Sequence, residues 1–172
     1  MKLQNTLLIL ASSTLLATLP TFATGSADAH QHAQPTASIG EAGQPSKATR
    51  TVQVEMRDSM QFVPSRLSVK QGETLRIVVK NTGQLRHEIV LGSEKDLKAH
   101  AEMMKKSPAM AHPDPNMLTL APGQSGELVW KFSQAGVVNF ACLQPGHFDA
   151  GMKGQVQVTA AKAAPTGDAH AH

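Results

Sequence analysis

The sequence predicts an all-β protein, a β-sandwich carrying one short helical insert. Three observations lead there. Apolar and polar residues alternate at a period of two in a series of short runs, the pattern of strands with one buried face. Turn-forming residues, among them Gln71-Gly72, Asn81-Thr82-Gly83 and Ala121-Pro122-Gly123, separate those runs at the spacing of a sandwich. A single window, Glu94 to Lys106, carries good helix formers with neither Gly nor Pro.

The first segment, 1–23, reads as a secretory signal. Lys2 precedes Thr6-Leu7-Leu8-Ile9-Leu10 and Leu15-Leu16, an apolar stretch too short and too broken by Ser and Thr for a membrane span. Cleavage follows Ala23 or, later, Ala29, so the mature chain is expected to be exported without a membrane span. Residues 24–49 are rich in Ala, Gln, Pro, Ser, Thr and Gly and read as a disordered arm bearing His30 and His32. Residues 50–160 form the folded domain. Residues 161–172, ending His170-Ala171-His172, read as a disordered tail.

Within the domain, Val52, Val54 and Met56 alternate with Gln53 and Glu55, which starts ordered structure near Thr51. Phe62 to Val69 contains Pro64 and is therefore an edge or irregular piece. Thr74 to Lys80 alternates cleanly, and His87 to Leu91 follows the Asn81-Thr82-Gly83 turn. Ser93 with Asp96 makes an N-cap box variant for the helix, and Pro108, Pro113 and Pro115 end it. Further strands are Leu118-Thr119-Leu120, Gly126 to Phe132, Gly136 to Cys142 and Gly154 to Thr159.

Composition narrows the function. The 172 residues carry a formal charge of +3, which disfavours nucleic acid as a partner. Export makes the single Cys142 informative, because an oxidising compartment pairs thiols and an odd one is intermolecular, reactive, buried and inert, or held by a metal. Cys142 opens the run Cys-Leu-Gln-Pro-Gly-His-Phe-Asp-Ala-Gly-Met, which puts a thiolate, an imidazole (His147) and a thioether (Met152) on one loop. Two histidines and a cysteine with a weak axial methionine make the trigonal geometry of blue-copper sites. The second histidine has to come from elsewhere, and His87 is the candidate. Zinc accepts two histidines and a cysteine too, but a structural zinc site wants a fourth strong ligand. Pro145-Gly146 and Gly151 let the loop turn.

With His87, Cys142, His147 and Met152 in that order, the chain resembles the cupredoxins, the small blue copper proteins. The four-residue spacing between loop ligands is similar to the rusticyanin and auracyanin form. The run His87-Glu88-Ile89-Val90-Leu91-Gly92 and the Phe140 to Met152 loop resemble those of periplasmic cupredoxins linked to copper tolerance. The resemblance implies a Greek-key sandwich, one type 1 copper ion, a periplasmic location and a monomer. It also implies one-electron cycling, with copper ions and an unidentified redox or copper-transfer protein as partners. Glu88 departs from the pattern, since plastocyanin and azurin carry there an Asn that braces the cysteine loop.

A second group of soft donors, His100, Met103, Met104, Met110, His112 and Met117, lies in the insert, where His100, Met103 and Met104 share helical offsets. Thioethers suit Cu(I), which makes this an auxiliary copper site; methionines filling an irregular interface are the alternative. The tail histidines chelate copper or are incidental to a solvated chain. These extras favour copper handling over a dedicated electron carrier. An enzyme is the weakest reading, because multicopper oxidases need further histidine-built centres, although a cuprous oxidase activity at the one site is not visible in a sequence.

Overall fold

A computed structural model describes residues 39–107 and 114–161 of the chain, and among these described residues ten strands lie in two sheets of five. In chain order the elements are β1 (Glu41–Ala42), a 3-10 turn (Pro45–Lys47), β2 (Arg50–Arg57), β3 (Gln61–Val63), β4 (Arg66–Lys70), β5 (Thr74–Asn81), β6 (His87–Gly92), α1 (Glu94–Lys106), β7 (Met117–Leu120), β8 (Ser125–Lys131), β9 (Gly136–Ala141) and β10 (Lys153–Thr159). One sheet runs β1-β8-β5-β2-β3 and the other β4-β10-β9-β6-β7. Two pairings are parallel, β2 with β5 and β4 with β10, and the rest are antiparallel. The all-β sandwich with a helical insert is thus as expected.

Alternation fixes which side chains meet between the sheets. In β10 Val156 and Val158 point inward while Gln155, Gln157 and Thr159 stay exposed; Leu67 and Val69 do the same in β4. With Leu75, Ile77, Val79, Trp130, Phe132, Phe62 and Phe140 they form one apolar core. Burying a side chain of this size stabilises by about 1.5–3 kcal/mol, and the Phe62 and Phe140 rings add an edge-on contact at 5.0 Å.

Strand β6 is buried along its whole length. A strand presents alternate residues to opposite faces, so Ile89 and Leu91 enter the main core while Val90 joins a second cluster with Leu97, Ala101, Ala141 and Leu143. Helix α1 covers that outer face. It starts at Ser93, whose hydroxyl accepts from the Asp96 amide at 3.1 Å, and Leu97, Ala101 and Met104 recur at helical spacing on its buried side.

Order begins earlier than the composition of the arm implies. Ile39 is buried, Glu41 and Ala42 pair with Lys131 and Trp130 on β8, and the Trp130 indole donates to the Ile39 carbonyl at 2.7 Å. One apolar residue and a buried indole that needs an acceptor order this stretch, and neither changes its average composition. Pro64 acts as expected: β3 ends at Val63 and β4 starts at Arg66. The expected signal segment, His30, His32 and the C-terminal histidines lie outside the described residues. Among the described residues no helix is long and apolar enough to cross a membrane.

Candidate metal centre

His87 opens β6, and its parity with Ile89 and Leu91 turns the ring into the sandwich, where it is fully buried. Cys142 follows the end of β9, and the loop it opens returns to β10 at Lys153. That loop is closed by its own backbone. The Cys142 amide donates to the Met152 carbonyl and the Met152 amide to the His147 carbonyl, both at 3.0 Å; Ala150 donates to Gly146 at the same distance. Gly146 and Gly151 hold φ of 85° and 91°, the left-handed region glycine enters without a Cβ penalty.

These constraints bring three donors together. Cys142 Sγ lies 3.3 Å from His147 Nδ1 and 3.9 Å from His87 Nδ1, and the three donor atoms fall within 4.8 Å of one another. Bonds of roughly 2.0 Å to nitrogen and 2.3 Å to sulfur, opened by about 120°, require N to S separations of roughly 3.7 Å. The observed distances bracket that value, so the donor set fits one ion. Met152, the fourth expected ligand, is fully buried in the same core cluster as Cys142. Two imidazoles, a thiol and a neighbouring thioether are compatible with a type 1 copper site.

The protonation chemistry follows from burial. Desolvation pushes the Cys142 thiol up to about 12, with the Glu88 charge adding in the same sense and amide hydrogen bonds from Glu88 and Gln144 opposing. His147 is pushed below its ordinary value, by burial first and then by His87. At neutral pH His147 is an unprotonated donor, whereas the thiol must lose a proton to become a ligand.

Glu88 takes the place of the bracing Asn. It faces away from His87 along β6 and is only 1% exposed. Its Oε1 accepts from the Leu143 amide at 3.0 Å, and its Oε2 from Gln144 Nε2 and the Thr119 hydroxyl, each at 3.2 Å. Its own amide donates to Cys142 Sγ at 3.4 Å. The carboxylate ties the cysteine loop to β6 and β7, so the departure changes the charge beside the site and keeps a brace.

One contributor has no signature in sequence. Asp58, in the turn between β2 and β3, places Oδ1 at 2.9 Å from His87 Nε2. Nothing in its spacing points to a histidine 29 positions away. Only the pairing of β2 with β5 brings that turn beside the residues leading into β6.

The described soft donors of the insert lie at different depths. Met104 is 3% exposed and packed, while its neighbour Met103 is 38% exposed. Consecutive helical residues lie about 100° apart, enough to put one inside the interface and the other outside. His100 and Met117 are half-buried, Met117 against the cluster beneath α1. Met110 and His112 lie outside the described residues. Lys105 reaches from α1 to Asp149 on the ligand loop at 2.6 Å.

Relatives agree with this chemistry. The chain is 50% identical over 132 residues to the copper-resistant cuproprotein CopI of Rubrivivax gelatinosus, covering 77% of this chain and 79% of that one. It is 36% identical to the protein of the same name from Pseudomonas aeruginosa, covering 70% and 82%. Among solved structures, auracyanin B matches with a TM-score of 0.58 at 28% identity over 70% of this chain and 96% of its own. Auracyanin from Roseiflexus castenholzii matches at 0.55 and 25% over 65% and 98%. Residues 48–159 match the model of the copper-binding proteins of the plastocyanin/azurin family, and with the donor set just described the chain belongs to that family.

Proposed function

We propose that His87, Cys142, His147 and Met152 hold one copper ion as a type 1 site and that the protein handles copper in tolerance, in the periplasm after export. The observation that carries this is the convergence of two imidazole Nδ1 atoms on a fully buried thiol. The relatives named for copper resistance, each matched over most of its length, support the tolerance role. Copper supplies a reversible one-electron couple, in which thiolate and thioether suit Cu(I) and imidazole suits Cu(II). The loop's internal hydrogen bonds and the Glu88 brace hold the donors in one arrangement for both states. Within the same reading the insert adds Cu(I) capacity, with exposed Met103 the available thioether and Met104 committed to packing.

Reconstitution with Cu(II) tests the site: an intense thiolate-to-copper charge-transfer band is expected, and its survival in Cys142→Ser would refute the ligand set. Titrating Cu(I) into Cys142→Ala, with and without Met103, Met104, Met110 and Met117, tests the insert; equal binding assigns those methionines to packing. Deleting the gene should lower growth at raised copper and spare growth on respiratory substrates. The reverse pattern would make the protein a dedicated electron carrier.

A further inference from the structure

A neutral imidazole has one N–H and one lone pair, and the nitrogen that carries the proton decides which face binds a metal. His87 is fully buried and meets different groups on its two sides. Nδ1 faces Cys142 Sγ at 3.9 Å, and Nε2 lies 2.9 Å from Asp58 Oδ1. Asp58 is itself held in place, since Oδ2 accepts from the Gln84 amide at 2.7 Å and Oδ1 from the Leu85 amide at 3.2 Å. The Gln84 amide first, then the His87 ring, hold its carboxyl below the usual range. Gly83 makes the room, because a Cβ there would run into Asp58 Oδ1.

We propose that Asp58 is a positioning residue of the metal centre: it fixes His87 as the Nε2–H tautomer, so that the Nδ1 lone pair faces Cys142 and His147, and its charge biases the centre toward Cu(II). The second half rests on the copper reading above. A carboxylate behind a ligating imidazole makes the ring a more basic donor, and a more basic donor with a negative charge behind it favours the more highly charged ion. The side chain is 37% exposed, so water weakens its charge without removing the direct hydrogen bond.

Three variants separate the two halves. Oδ1 takes two donors and Oδ2 one, so the oxygen of Asp58→Asn should sit at the Oδ1 position, keeping the bond to His87 and losing the charge. Asp58→Ala loses both. Gly83→Ala displaces the carboxylate with its charge intact. Long-range proton–nitrogen spectra of the copper-free protein read the His87 tautomer directly. Wild type and Asp58→Asn should show Nε2–H alone, and Asp58→Ala and Gly83→Ala should add the Nδ1–H form. Pure Nε2–H in the last two would overturn the positioning role. In the copper-loaded protein, Asp58→Asn should lower the ratio of Cu(II) to Cu(I) affinity about tenfold, a rise of about 59 mV for a one-electron couple, while the charge-transfer band persists. An unchanged potential would overturn the charge effect. The tautomer spectra need no copper, so a wild-type protein that bound none would sink the functional reading and leave the test of Asp58 standing.

Discussion

Truncating Glu88 to alanine removes the group that ties the cysteine loop to β6 and β7. The Leu143 amide, buried with its residue, loses its acceptor at 3.0 Å. Leaving such a donor unpaired costs about 1–3 kcal/mol. Gln144 and Thr119 are half-buried and can turn to solvent, so each contributes less. Against these losses stands relief from keeping a carboxylate in a dry site; the whole group leaves, so no unpaired charge stays behind. The net expectation is a loss of about 2–3 kcal/mol in the copper-free protein. Urea denaturation at neutral pH reads this as a midpoint lowered by about 1–2 M for ordinary denaturant slopes. Glu88→Gln, which retains an oxygen for Leu143, should lose roughly half as much. A midpoint within about 0.3 M of wild type for Glu88→Ala would mean that the three hydrogen bonds hold nothing.

Copper affinity should rise about tenfold per pH unit from pH 7 to 9, because binding expels the one proton that a thiol near 12 still carries there. His147, pushed below its ordinary value, adds no second proton in that window; competition titrations that gave a flat profile would show a preformed thiolate. Met104→Ala should cost about 2–4 kcal/mol and Met103→Ala under about 0.5, and equal costs would contradict their burial. Lys105→Ala should leave stability nearly unchanged, as loss of an exposed ion pair does, whereas Leu97→Ala should cost about 2–4 kcal/mol and speed copper release, measured by transfer to a chelator.

The strands were legible because their alternation is set by burial, and burial is what places His87 on the inward face of β6. The loop ligands were legible because their donor types sit within one turn-rich segment. Three things were not. The order of residues 39–47 depends on the Trp130 indole meeting the Ile39 carbonyl 91 positions away, a contact invisible to local composition. Asp58 reaches His87 through strand pairing, which no local spacing encodes. Met103 and Met104 are adjacent in sequence and alike in chemistry, yet the direction from which β6 and β9 approach α1 makes one a core residue.

That direction also gives the insert a second role. Its Met and His content reads in sequence as a device for capturing copper, but its buried residues Leu97 and Ala101 pack in one cluster with Leu143, the residue after Cys142, and Phe148, the residue after His147, is packed against it. Lys105 holds Asp149 on the same loop. The loop between β9 and β10 is therefore clamped from two sides, by Glu88 through hydrogen bonds to Leu143 and Gln144 and by α1 through apolar contact. A donor loop clamped in this way has little freedom to follow a change in the preferred geometry of its ion, and a small rearrangement between Cu(I) and Cu(II) is what both rapid electron exchange and retention of either state require. The helix thus contributes to the centre without supplying a ligand, and it is the exposed Met103 side, away from the clamp, that is left for any capture of copper from solution.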